Sequence, residues 1–448
     1  MKRFLHMVTL SFCLMLLFAC HEKKDNQEEH PIGAVMTSPV PPGTYLVGVS
    51  VKDITPSQSQ IEAGEVNMGG NGFLGIRDFT WPPILSIATD VLDPLYVRAM
   101  VIDLDGRALA LAVLDAAGIG NRIIDEINSM VAQATGLRES QIYIANTHSH
   151  NAPDLQGYCG GVSAAYRARV IDRTVAAISD AYGSRGPVNL YVSLGQGQSN
   201  NRRGWDYTDS TIPVLDARAI ATDETIGILI NFGCHPTILS KEDTELSRDY
   251  VGHLVDYAEA SLGAPVIFVQ GILGDATSDT RGLVYSDRFE RAQAYGEHIA
   301  QQALASMMNQ TLIESEVYID TFPFEHIVTN PLLLVTSLLF GSQLEYDIEF
   351  DLFEGLSFQT QVGYVRLGKQ VQIAILPGES LTNHGLSIKN AMSAPFKMVF
   401  CQASDSLGYL IPTDEWLAGP NGVNYEETFA FDEQLGDVMR DHLVEMIE

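Results

Sequence analysis

Five apolar runs rich in β-branched residues each stop at turn residues that carry a side chain able to bind metal or move protons. Ile142–Asn146 is followed by His148 and His150, and Ile226–Phe232 by His235. Pro265–Gln270 leads to Asp275 and Thr277, Val371–Leu376 to Glu379, and Met398–Gln402 to Tyr409. Short apolar runs bounded by Gly and Pro read as buried strands. Open α/β sheets place their chemistry just beyond the carboxyl ends of strands. The recurrence therefore predicts one site assembled from several strand ends. Residues two apart on an extended segment share a face. His148 and His150 are accordingly expected to point into one cavity, one to bind a metal and the other to transfer protons.

The rest of the chain fits that architecture. Tyr45–Val51 reads as a strand, and Leu95–Asp103 and Ala108–Leu114 as two strands joined at Asp105 and Gly106. Arg122–Thr135 has apolar residues at helical spacing and stops at Gly136. Ala164–Tyr182 is a second helix and Asn189–Leu194 a further strand. This alternation predicts an α/β fold, with mixed β-sheets flanked by helices and an active site in loops after strand ends. A glycine-rich loop, Asn67–Gly72, lacks the Gly-Lys-Ser/Thr that would follow in a nucleotide site. Its glycines point instead to close backbone approach or positive φ. Pro331–Phe340 is strongly apolar yet too short to span a bilayer. It is either a buried core helix or an apolar lip that admits a lipid or touches a membrane.

The N-terminus reads as a processing signal. Lys2 and Arg3 precede an apolar run that stops at Leu17–Cys20. Leu-x-Ala-Cys resembles a bacterial lipoprotein box, in which the cysteine is acylated. The expected organisation is a lipoprotein signal peptide over 1–20, a flexible polar and Pro-rich tether over 21–44 and a folded domain over 45–448. The expected location is a bacterial cell envelope, facing the periplasm or on the outer membrane, with the chain exported and anchored through acylated Cys20. A net charge of −29 argues against nucleic-acid binding, which needs clustered Lys and Arg. Cys159, Cys234 and Cys401 leave an odd number for an exported chain. They are either three buried free thiols or a bridge from Cys159 to one of the others.

His148, His235 and Glu379 make up the two-imidazole, one-carboxylate set of catalytic zinc sites, which keep a position open for water. Zinc brings the pKa of such a water to ~7. The candidates are dispersed along the chain, with no local His-Glu-x-x-His motif.

From about Val47 to Val438 the chain resembles the neutral/alkaline, non-lysosomal ceramidase family. The resemblance lies in Asn146–His150 with Pro153 and Gly157, Cys234–Thr237, Gly274–Thr277, Pro377–Glu379, and Gly408–Tyr409 through Asp414 and Glu415 to Tyr425 and Glu426. It implies one Zn²⁺ per chain held by His148, His235, Glu379 and Tyr409, with His150 as proton donor to the leaving amine. It also implies that Arg202 and Tyr425 line the scissile amide. Thr277 keeps a catalytic hydroxyl where the family has Ser, and Ser406 stands where the family has Tyr. The chain ends at Glu448 and is expected to lack the family's C-terminal immunoglobulin-like domain. The implied reaction is hydrolysis of the amide of an N-acyl lipid such as ceramide to fatty acid and sphingoid base. Two other classes suit the same residues: a zinc hydrolase of another amide or ester, and a non-catalytic lipid-binding lipoprotein. A long apolar entrance favours the lipid substrate. The complete set of His148, His235 and Glu379 argues against a decayed enzyme.

Overall fold

Strands whose residues alternate between two apolar surroundings have to be covered on both faces, and this chain covers them with a second sheet on one side and helices on the other. The computed structural model describes residues 41–70, 85–239, 242–340, 343–351, 355–422 and 424–448. The signal region, Cys20, nearly all of the tether and the end of the glycine-rich loop lie outside the described residues.

The first sheet contains β1 (Tyr45–Asp53), β2 (Tyr96–Leu104), β3 (Arg107–Leu114), β4 (Ile142–Asn146), β5 (Gly186–Gln196), β6 (Thr211–Ala219), β7 (Thr225–Phe232) and β8 (Val266–Gln270). Their spatial order is β8-β7-β6-β5-β1-β2-β3-β4. The second sheet runs β9 (Val317–Val328), β10 (Gly355–Leu367), β11 (Val371–Ile375), β12 (Phe396–Phe400) in that order. Along β2, Met100 and Ile102 face a core shared with Val365, Ile373, Met398 and Phe400 of the second sheet. Val97, Ala99 and Val101 face the other way, against α1 (Asn121–Thr135) and α2 (Ala164–Gly183) through Ile123, Ile127, Val170 and Ile178. Helices α3 (Asp249–Leu262) and α4 (Arg288–Ser306) cover β6 to β8 through Leu254 and Ile299. After α5 (Pro331–Phe340), helices α6 (Thr382–Ala391) and α7 (Leu435–Ile447) cover the outer face of the second sheet through Ile388, Leu435 and Met439. The result is a layered α/β fold with mixed sheets between helices. Each fully buried aliphatic side chain in these layers contributes about 1.5–3 kcal/mol.

Most neighbouring strands are antiparallel, but β3–β4, β7–β8 and β11–β12 are parallel. Backbone hydrogen bonds tie the loops beyond these pairs to one another. Asn146 N–H donates to Gln402 O at 3.2 Å, Cys401 N–H to Gln270 O at 2.9 Å, and Gly274 N–H to Ser380 O at 2.8 Å. The carboxyl ends of both sheets thus meet along one edge.

The sequence expectations hold for the apolar strands. Asp105 and Gly106 both have positive φ in the β2–β3 turn, and Gly136 caps α1 with φ 78°. The long β9 is harder to read, because Asp320, Pro323, Glu325 and His326 interrupt its apolar residues. As an edge strand it tolerates a proline without losing a ladder hydrogen bond on both sides. Pro331–Phe340 is helical but not wholly buried: Leu333 and Thr336 are inside, while Val335 is 45% exposed. Among the described residues no helix is long and apolar enough to cross a membrane. Cys159, Cys234 and Cys401 are buried and no disulfide joins them, so the possible bridge is not made.

Candidate metal centre and its cleft

His148 reaches the site by a route the alternation argument did not foresee. The chain leaves β4 before His148, whose φ of 61° is in the left-handed region that few non-glycine residues adopt. Even so, His148 and His150 meet, with their Nε2 atoms 3.4 Å apart. His235, in the loop after β7, completes a cluster in which one nitrogen of each of the three histidines lies within 4.8 Å of the others. Glu379, just after β11, faces it with Oε2 3.0 Å from His235 Nε2 and 3.4 Å from His148 Nε2.

The orientation of two imidazoles is fixed from behind. His148 Nδ1 lies 2.6 Å from Ala117 O, and His235 Nδ1 lies 2.7 Å from Leu273 O. A carbonyl only accepts, so both Nδ1 atoms carry the proton and both Nε2 lone pairs face inward. This is the outer-sphere support that metal-binding histidines use. The inward lone pairs then meet a carboxylate oxygen, and acceptors that converge in a buried place need a proton or a cation between them. Burial opposes the Glu379 charge, but His148 and His235 hold the carboxyl well below its usual range. Burial, then the charge of Arg202, brings His235 down to about 4. Burial, then His148 and His235, holds His150 well below the usual imidazole value.

Tyr409 stands directly opposite Glu379 in a short parallel pairing of Glu379–Ser380 with Tyr409–Leu410. Its ring centroid is 6.2 Å from that of His235. Burial raises its phenol well above the ordinary value, with Arg202 opposing. Arg202 Cζ lies 5.4 Å from the centre of the Tyr409 ring and 5.7 Å from that of Tyr425. The guanidinium is anchored by Glu426 Oε1 at 2.7 Å and Gly274 O at 2.7 Å. Its neighbour Arg203 turns away into complete burial, between Glu426 and Glu427. Thr277 is not among the residues that line the cleft. Its strand, Ala276–Ser278, pairs with Ser199–Asn201, and its hydroxyl faces Asn200 O at 3.4 Å.

The cleft over the cluster is lined by His148, His150, Glu379, Tyr409 and Tyr425 on one side. Tyr158, Leu333, Phe429 and Phe431 give it an apolar wall. Leu333 comes from α5, so the apolar segment singled out in the sequence contributes directly to the cleft.

Three further residues shape the site through contacts that the sequence alone does not record. A Cβ on Gly70 would lie 2.3 Å from His150 Cγ, so the glycine loop lets the backbone press against that ring. Asp154, buried and with a carboxyl raised by burial, accepts backbone N–H groups from Gln156, Gly157, Cys159 and Gly161 and so shapes the cleft wall. Ser406 Oγ accepts from Ile119 N–H and Asn146 Nδ2 at 3.0 Å each, bracing the segment that leads to His148. The closely spaced Gly157, Gly160 and Gly161 after Asp154 are the one sequence signal that points to such a loop.

No protein-family model and no curated protein matches the chain. Solved structures do. The neutral ceramidase of Pseudomonas aeruginosa superposes with a TM-score of 0.72 at 16% identity, over 90% of this chain and 74% of that one. A ceramidase complexed with C2 gives the same TM-score and identity, over 90% of this chain and 75% of that one. The fold is therefore that of a neutral ceramidase.

Proposed function

We propose that this chain, with the fold of a neutral ceramidase around a buried cluster of inward-facing donors, is a zinc-dependent amidohydrolase that cleaves an N-acyl lipid such as ceramide. The observation that carries the proposal is the meeting of His148, His235 and Glu379, from three separate strand ends, with both Nδ1 atoms tied to carbonyls. These three are assigned as ligands, with Tyr409 as the fourth because it pairs with Glu379. The geometry also admits a three-histidine set that includes His150. The carboxylate set is preferred because Glu379 touches both carbonyl-anchored imidazoles. Zinc is favoured over softer or harder ions by the mixed nitrogen and oxygen donors. Bound there, it supplies Lewis acidity toward a carbonyl and brings the pKa of a water to ~7.

The chain's own residues do the rest. His150, held neutral by burial, takes a proton from the attacking water and passes it to the leaving nitrogen. Arg202, locked by Glu426 and Gly274 O, keeps a positive charge beside Tyr409 and Tyr425 where the carbonyl oxygen gains negative charge. Thr277 donates its hydroxyl to Asn200 O at 3.4 Å. Leu333, Phe429 and Phe431 receive the acyl chain and exclude water from the amide. A membrane-tethered chain, anchored through Cys20 in a bacterial envelope, would meet such a substrate at the bilayer surface.

The experiment compares two variants on a panel of N-acyl substrates of increasing chain length. His148→Ala is expected to lose bound zinc and activity together. His150→Ala is expected to keep zinc near one per chain and lose about 10²–10⁴-fold in turnover. Loss of zinc from His150→Ala would make His150 a ligand. Equal rates on short and long acyl chains would remove the lipid from the proposal.

A further inference from the structure

A second cavity, of about 630 Å³, opens between α1 and the sheet of β9 and β10. Its volume falls in the ordinary range for organic ligands, about 300–1,000 Å³. Asn121, Asp125 and Asn128 line it from one face of α1, at the helical spacing i, i+4 and i+7. Thr360 lines the sheet side, and Ser404 and Asp405 lie on the segment following β12.

Two features mark it as a ligand site. First, its charges have one sign. Asp125, Glu139, Asp347, Glu349 and Asp405 line it, and no Lys or Arg does among the described residues. Asp347 is answered from outside the cavity by Arg122 Nε at 2.7 Å. Asp125 is exposed on one side of α1, and partial burial of its carboxyl, then the neighbouring carboxylates of Asp347 and Glu139, pushes it up to about 6. Second, four of the lining residues carry buried side-chain oxygens that have no hydrogen-bond partner: Asp405 Oδ2, Asn128 Oδ1, Thr360 Oγ1 and Ser404 Oγ. Asp405 is only 1% exposed, its other oxygen accepts Ser406 N–H at 2.9 Å, and burial pushes its carboxyl well above the usual range, so its charged form needs a cation beside it. Native proteins leave few buried polar atoms unpaired, and each such atom calls for a partner.

The partner is a cation that donates hydrogen bonds. A chelated metal ion suits the site poorly, because a hard cation draws several oxygens to within about 2.0–2.6 Å of itself. Among the described residues, the histidine cluster is the one place where three His, Cys, Asp or Glu donor atoms approach within 4.8 Å of one another. The carboxylates here are spread around the wall instead. We propose that this cavity binds a small organic cation with two or more ammonium groups, one seated on Asp405 and the orphaned oxygens around it, another near Asp125. The ligand would rest on the 402–406 segment, which also holds Asn146 through Gln402 O and Ser406 Oγ. Occupancy would therefore steady the strand that leads to His148.

Spermidine is the probe, applied to the metal-loaded full chain in thermal unfolding and calorimetry. The net charge of −29 will attract any polycation to the surface, so specificity has to come from variants and from a divalent control at matched ionic strength. The expected result is saturable one-to-one binding that raises Tm, weakened about tenfold or more in both Asp405→Asn and Asp125→Asn. Asp223→Asn, at a side chain 71% exposed elsewhere, should bind like the parent. If Asp405→Asn does not fold, the exposed Asp125 on α1 still decides the matter. Binding that is not saturable, that is unchanged in Asp125→Asn, or that calcium reproduces at equal ionic strength would overturn the proposal.

Discussion

Replacing Gly70 by Ala should disable proton transfer while sparing the metal. A Cβ at this position lies 2.3 Å from His150 Cγ and 2.4 Å from its Nδ1, where ordinary contact begins near 3.4 Å. The imidazole has to retreat by about 1 Å, or the loop has to lift by as much. Gly70 also has φ 79°, a conformation that costs an alanine ~1–2 kcal/mol. The methyl group meets His150 rather than His148, His235 or Glu379, so zinc stoichiometry should stay near one. Misplacing a catalytic group by ~1 Å costs about 10²-fold in rate. Turnover of a fluorogenic N-acyl amide, metal content and thermal unfolding would be measured on the same sample. A variant with lowered stability but wild-type turnover would refute the claim that the position of His150 governs the chemistry.

Three other outcomes follow from the same contacts. Arg203→Met strips the buried Glu426 and Glu427 of a shared cation and should cost about 3–5 kcal/mol in urea unfolding; a loss under 1 kcal/mol would mean the network is not what holds the 415–430 segment. Burial brings His384 down to about 4 from 6.5, so the unfolded chain binds the extra proton first. Stability should then fall as pH drops from about 6.5 to 4, by roughly 3 kcal/mol from this residue, and an unchanged pH slope in His384→Gln would exclude it as the source. Mass spectrometry of membrane-extracted protein should find acylated Cys20 at the mature N-terminus, and an unmodified N-terminus elsewhere would remove the anchor.

What the sequence made legible was the set of strand ends, because buried strands are written as uninterrupted apolar runs and their ends as Gly and Pro. That was enough to bring His148, His235 and Glu379 into one proposal. The packing that unites them was not legible. Asn146 meets Gln402, and Gly274 meets Ser380, across more than a hundred residues of chain, and no local pattern records such a pairing. The route taken by His148 was misread because its left-handed φ depends on tertiary surroundings, not on its own preference. Thr277 follows a strand end and matches a family position, but where its hydroxyl points was not legible: it donates to the carbonyl of Asn200. Gly70 was read correctly in kind, as a glycine needed for close approach, but what it approaches became visible only when His150 was in place.

The roles of His148, His235, Glu379 and His150 all depend on where a metal binds. Crystals of zinc-loaded protein, measured on both sides of the zinc absorption edge, would give an anomalous map that depends on no assumption about the reaction. One strong peak is expected within ~2.0–2.2 Å of His148 Nε2, His235 Nε2 and a Glu379 oxygen, with His150 outside bonding distance. A peak bonded to all three histidines with Glu379 displaced, or no peak in the cluster at full zinc loading, would contradict those roles.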